Sequence, residues 1–77
     1  MSVLLPARLA ELDRAVAWFE VRRLENKTVV VAFPPDPATG GYRVVRGEAP
    51  RSHDPAADVW LAAGRVLADL RDREGAA

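Results

Sequence analysis

The sequence contains no cysteine and only one histidine, His53. Without cysteine the chain forms no disulfide and no zinc–thiolate site, and a single imidazole has no second imidazole with which to build a histidine zinc site. We therefore expect no metal and no cofactor. The lack of cysteine is compatible with the reducing cytoplasm, where we expect the chain to reside.

An excess of charge of one sign and long apolar runs are also lacking. The 11 basic and 11 acidic side chains give a net charge of zero, which argues against a DNA mimic and against a general nucleic-acid coat protein. No stretch approaches the ~20 apolar residues of a membrane helix. The first residues, Met1–Pro6, have neither the basic segment nor the apolar length of a signal peptide. We expect a soluble chain that does not bind membranes.

The 77 residues correspond to one domain of small size. Such a domain buries only ~60–70% of the surface that its unfolded chain exposes, so its core supplies little stability in excess of the entropy lost on folding. No disulfide or metal adds to it. Self-association is therefore expected.

A helical repeat of apolar residues comes first in the chain. Steps of four and three predict a helix over residues 4–25, carried by Leu5, Leu9, Leu12, Val16 and Phe19. Both tryptophans, Trp18 and Trp60, fall on or beside apolar helix faces and are interpreted as core residues. An interface role is the alternative for Trp18.

Two valine-rich segments predict strands over residues 28–33 and 42–46, joined by the proline- and glycine-rich turn 34–41. If Phe33 lies opposite Tyr42, one face of this hairpin carries Val29, Val31, Phe33, Tyr42 and Val44. The other face carries Val30, Ala32 and Val45. Three arrangements remain open: both helices cover one face, one helix covers each face, or a second copy supplies the missing cover.

A second helix is predicted over residues 55–73, because Asp54-Pro55 is a strong start signal and the apolar residues after it follow a helical repeat. The predicted class is α+β, a helix–hairpin–helix (αββα) fold with a two-stranded antiparallel sheet per chain. Because both hairpin edges are open, we expect a homodimer, formed either as a four-stranded sheet joined edge to edge or as two hairpins packed face to face. The expected dimer interface comprises Val30, Ala32, Val45 and Leu61.

Short motifs favour structural roles over catalysis. Ser52-His53-Asp54 are consecutive and therefore do not form a hydrolase triad, whereas Ser52 and Asp54 suit helix capping. Gly40-Gly41 is typical of a hairpin turn, and Glu48 with Asp54 or Asp58 is interpreted as solvated surface. We name no catalytic residue and expect no enzyme.

Arginine and tyrosine side chains concentrate on and beside the predicted hairpin. A basic hairpin of this kind binds an acidic protein surface or a nucleic-acid backbone. The candidate partner-binding residues are Arg22, Arg23, Tyr42, Arg43, Arg46 and Arg51.

The order of helix, valine-rich strand, Gly40-Gly41-Tyr42 turn, short strand and Ala/Leu helix resembles the small phage ABA-sandwich domains. The Gly40-Gly41-Tyr42 hairpin with the helix that follows it is also similar to the HicB antitoxin fold. The phage resemblance implies a mobile-element accessory protein, such as an anti-CRISPR inhibitor that masks the surface of a host defence or regulatory complex. The function expected is a non-enzymatic protein–protein interaction module. The alternative is a nucleic-acid-binding accessory protein that uses the basic hairpin.

Overall fold

A computed structural model describes residues 4–76, with side chains from Leu5 to Arg73. Within this range, no helix is both long and apolar enough to cross a membrane. The elements follow one another as α1 (Leu4–Ala15), β1 (Trp18–Arg23), β2 (Lys27–Phe33), β3 (Pro35–Asp36), β4 (Gly41–Tyr42), β5 (Val45–Pro50) and α2 (Pro55–Ala76).

The α+β class is confirmed, and helices enclose the strands in the chain as predicted. The sheet, however, has three antiparallel strands in the order β1-β2-β5, so the two-stranded sheet was an undercount. A short second hairpin, β3–β4, forms where a simple turn was expected. Gly40 forms its turn with a positive φ of 76°, a conformation that glycine adopts without steric penalty.

The prediction of one helix over residues 4–25 is wrong beyond Ala15. Residues 18–23 instead form β1, which pairs along its whole length with β2, from Trp18 opposite Phe33 to Arg23 opposite Thr28. Aromatic and β-branched residues in this segment suit a strand, and pairing with the valine-rich β2 satisfies its backbone groups. Tertiary pairing therefore overrides a helical repeat that continues only through Phe19.

The register between the two predicted strands differs by two residues from the expected one. Val45 lies opposite Ala32, and Tyr42 lies opposite Pro35 rather than Phe33. The β3–β4 hairpin lengthens the connection, because Pro35 and Asp36 also pair before the chain turns. A shift of two preserves the side of the sheet on which each side chain lies, so the predicted division of the valines between two faces remains correct.

Both helices pack on the face formed by Val30, Ala32 and Val45, which are fully or almost fully buried. These three residues therefore have no surface to offer to a second copy, and their assignment to a dimer interface is corrected. Leu61, the fourth member of that set, lies exposed on α2. The rest of the core is supplied mainly by Leu12 and Val16 of α1 and by Ala62, Ala63, Val66, Leu67 and Leu70 of α2.

Polar contacts fasten α1 to α2. Arg8 Nη1 donates a hydrogen bond to the Trp60 carbonyl at 2.9 Å, and the guanidinium carbon lies 3.6 Å from the centroid of the Trp60 ring. Trp60 is thereby half-buried beneath Arg8. Glu11 and Arg71 form a second, exposed contact between the helices at 2.7 Å.

The two edges of the sheet carry residues that discourage the addition of another strand. The edge strand β1 bears Glu20, Arg22 and Arg23, and the edge strand β5 bears Arg46 and Glu48 and ends at a proline. Charged side chains and proline are common protections of exposed edges. The strand composition thus offers no support for joining two copies edge to edge.

Candidate functional site

Among the described residues both helices pack on one face of the sheet, with Val30, Ala32 and Val45, and no helix lies on the opposite face. Strand alternation places every second residue of each strand on it. We call this surface the open face. Its residues are Trp18, Glu20, Arg22, Lys27, Val29, Val31, Phe33, Arg46, Glu48 and Pro50, of which Val29 is buried by its neighbours.

Three aromatic rings meet at one end of the open face. Trp18 and Phe33, opposite each other on β1 and β2, stack with ring centroids 4.4 Å apart and an interplanar angle of 16°. Tyr42 meets the Trp18 ring edge-on at 5.2 Å. Trp18 remains 45% exposed and Tyr42 58% exposed, although each ring already has an aromatic neighbour. Trp18, Phe33 and Tyr42 therefore form an ordered aromatic surface that remains largely exposed to solvent. We call these three residues the aromatic cluster.

Charges on the open face are mostly paired. Arg22 contacts Glu20 at 3.0 Å, and Lys27 contacts Glu48 at 3.3 Å across the sheet. Arg46 is exposed, lies opposite Val31, and forms no ion pair with any residue that the structure describes. Arg46 is thus a cation without an ionic partner among the described residues, and it lies next to the apolar centre of the open face.

A buried carboxylate, Asp58, fastens the sheet to the start of α2. Its oxygens accept hydrogen bonds from Ser52 Oγ at 2.6 Å, from the Ser52 amide at 2.8 Å and from Arg23 Nη1 at 2.8 Å. The same Arg23 donates to Thr28 Oγ1 on β2 and to the Ser52 carbonyl. Asp54 caps α2 as predicted, with Oδ1 accepting from the Ala57 amide at 3.2 Å. This network ties β1, β2, the loop before α2 and α2 together.

The Asp58 network implies a defined acid dependence of stability. The hydrogen bonds from the Ser52 hydroxyl and amide, followed by that from Arg23, lower the pKa of Asp58 from 3.8 to about 2. Because the folded-state pKa is the lower one, the stabilisation is present above the unfolded-state value of 3.8 and is lost as the pH falls through about 2. We expect the thermal midpoint of the wild type to fall through this interval more steeply than that of Asp58→Asn, measured by circular dichroism. Equal slopes would contradict the assignment.

The six predicted partner-binding residues divide between four places. Arg22, Arg46 and Tyr42 lie on the open face or at its aromatic end. Arg23 is used in the Asp58 network, and Arg51 Nη1 donates to the Leu24 carbonyl at 2.8 Å, where it holds the turn between β1 and β2. Arg43 lies on the helix side of the β3–β4 hairpin, beside Arg14. No single basic surface unites the six residues.

Two residues of the site were misplaced by the sequence interpretation. The sequence interpretation places Trp18 in the core on a helix, with an interface role as the alternative, whereas the structure places it exposed on the open face. Asp58 was assigned to solvated surface, whereas only 2% of it is exposed. The signal available for Trp18 was the mixture of aromatic and β-branched residues over 18–23. No sequence signal pairs Asp58 with Arg23, 35 positions away.

Among residues 4–76, no three His, Asp or Glu side chains are grouped so as to hold a metal ion. Comparison of the chain with protein-family models, with curated proteins and with solved structures found no match. Functional inference therefore depends on the geometry of the site.

Proposed function

We propose that this chain is a non-enzymatic protein-binding module that uses the open face to cover the surface of a protein partner. The observation that carries the proposal is the aromatic cluster of Trp18, Phe33 and Tyr42, which is ordered by internal stacking yet left in water. The mode of action we propose is occlusion of that partner surface, as in the anti-CRISPR inhibitors among the small mobile-element proteins that the resemblance to phage ABA-sandwich domains implies.

The arrangement of the rings supports a binding role. Tryptophan, tyrosine and arginine are the residues most enriched among those that dominate binding energy at protein interfaces. Trp18 is braced by Phe33 and Tyr42, so little side-chain entropy remains to be lost when a partner covers it. The aromatic cluster is therefore suited to act as the centre of an interface.

The charges of the open face indicate the chemistry of the partner. Since Arg22 and Lys27 already have acidic partners on the same face, Arg46 is the charge that a partner has to compensate. We infer a partner surface that is apolar opposite the aromatic cluster and carries a carboxylate opposite Arg46. Such complementarity increases specificity and the rate of association.

Single-stranded nucleic acid is the second candidate, because exposed rings on a sheet next to arginine also form platforms on which bases stack. Glu20 and Glu48 on the same face oppose a phosphate backbone, and for that reason we favour protein. The two candidates separate in one experiment: a nucleic-acid platform binds a single-stranded oligonucleotide at low salt with a steep salt dependence, and the proposed protein-binding face does not.

Removing the Trp18 ring is the sharpest test of the proposed face. We expect Trp18→Ala to weaken partner binding about 30-fold, because loss of a central interface aromatic costs about 2 kcal/mol or more. The wild-type chain is first used to capture the partner from lysates of the cells that encode the chain, and the partner is then purified. Binding of purified partner to each variant is measured by calorimetry.

The matched control is Leu61→Ala, which removes a large exposed side chain from α2, away from the open face. We expect it to bind as the wild type does, and Arg46→Glu to bind more weakly and to associate more slowly. Equal losses in Trp18→Ala and Leu61→Ala, with both variants folded, would overturn the assignment of the open face. If the captured partner is a second copy of the chain, the open face is the interface of the homodimer expected from the sequence, and the proposal of a different protein partner is wrong.

A further inference from the structure

A second surface, separate from the open face, has the chemistry of an anion site. It is a cavity of about 390 Å³ between the C-terminal end of α1, α2 and the β3–β4 hairpin. Its polar side chains are two guanidinium groups, Arg14 and Arg43, and its apolar wall comprises Pro34, Pro35, Pro37 and Leu70. No acidic side chain of the described residues lines it.

Neither arginine has a protein partner among the side chains described, residues 5–73. Within these residues Arg14 and Arg43 form no ion pair, and their side chains donate no hydrogen bond. The Nε of Arg43 is removed from solvent and has no acceptor. A buried donor without an acceptor is uncommon in folded proteins and is unfavourable. A guanidinium that has lost part of its hydration interacts more strongly with an anion at its remaining N–H groups.

The fold fixes the backbone positions from which both arginines reach the cavity. Arg14 lies in the last turn of α1, and the backbone amide of Arg43 donates to the Pro34 carbonyl at 3.0 Å, which anchors the residue at the base of the hairpin. The neighbouring prolines have fixed φ angles and no N–H groups. The carbonyl end of α1 contributes about half a negative charge, which is less than the two full positive charges.

We propose that this cavity, the Arg14–Arg43 pocket, binds a small ligand or side chain through one oxyanion group, a phosphate or a carboxylate. The planar guanidinium group matches both oxyanions through paired N–H donors. The volume lies within the range of small-molecule sites, and the prolines with Leu70 would contact an apolar portion attached to the anion. The proposal is independent of partner binding by the open face.

The test is a titration of the ¹⁵N-labelled full chain with sodium phosphate and, separately, with sodium acetate, at constant ionic strength and neutral pH. The arginine Nε–Hε signals are followed by NMR. We expect the Arg43 signal to shift and to saturate, and Arg43→Gln and Arg14→Gln each to weaken binding about tenfold or more, as expected for loss of a charge-assisted hydrogen bond. Arg14→Gln keeps the comparison decisive if Arg43→Gln does not fold, because Arg14 is exposed.

The matched control is Arg46→Gln, which removes an exposed arginine from the other face of the sheet and leaves the titration unchanged. Saturation by phosphate alone assigns a phosphorylated ligand, and saturation by acetate assigns a carboxylate. An Arg43 signal that follows the anion concentration without saturating, or an identical curve in Arg14→Gln, would overturn the proposal.

Discussion

Gly47→Ala is expected to lower the thermal midpoint by more than about 10 °C, or to prevent folding. A Cβ at this position of β5 would overlap the carbonyl oxygen of Ala62 and would lie 2.9 Å from Val66 Cγ2 and 3.0 Å from the Val66 amide nitrogen. Because the obstacle is the backbone of α2, the helix has to move off the sheet. Overpacking of this kind costs about 3 kcal/mol or more, and each kcal/mol lowers the midpoint of a domain this small by about 4–8 °C.

Gly41→Ala is the matched control for this substitution. A Cβ at Gly41 would meet Thr39 Oγ1 at 3.6 Å, an ordinary van der Waals distance. We expect its midpoint, measured by circular dichroism, to stay within a few degrees of the wild type. A Gly47→Ala variant as stable as Gly41→Ala would show that α2 does not lie against β5 as described.

Asp58→Ala is expected to be the most destabilising of the single polar substitutions at neutral pH. It deprives three donors of their acceptor: the Ser52 hydroxyl, the Ser52 amide and Arg23. Three hydrogen bonds to a charged acceptor are lost together, and such bonds contribute more than those between neutral groups. We expect a clear fall in the thermal midpoint and faster amide hydrogen exchange in the loop before α2.

Glu11→Ala provides the comparison for Asp58→Ala. It also removes one carboxylate from an arginine pair between elements, but both side chains of the Glu11–Arg71 pair are exposed. Exposed pairs contribute between zero and about 1 kcal/mol, so we expect little change in midpoint. If the two variants lose the same stability, the Asp58 network does not hold the sheet to α2.

Prediction from the sequence succeeded where a local signal and the tertiary contacts agree. Asp54-Pro55 marks the start of α2, and strand alternation divides the valines of β2 between two faces. It failed at residues 18–23, where a helical repeat through Phe19 competes with the mixture of aromatic and β-branched residues. Pairing of residues 18–23 with the next strand, β2, decides the outcome, and a helical period carries no information about this pairing.

The candidate site shows the same limit. The sequence predicts that Phe33 and Tyr42 share one face of the hairpin, and this is the face that the helices leave open. Two of the three rings of the aromatic cluster are therefore placed together by the sequence alone. Trp18 joins that face only because residues 18–23 form β1. The arginines are divided between the Asp58 network, the β1–β2 turn, the Arg14–Arg43 pocket and the open face only in the folded chain. The sequence shows which residues are basic, but not which arginines have partners in the folded chain.

The most direct test of the open face replaces Tyr42 by the photo-crosslinking residue benzoylphenylalanine in the cells that encode the chain. Leu61, which is also exposed but lies on α2, receives the same residue in a parallel experiment. Illumination is expected to join the chain to one protein partner from position 42 and not from position 61. Crosslinking of that partner from position 61 alone, or of oligonucleotides rather than protein from position 42, would contradict the proposed function.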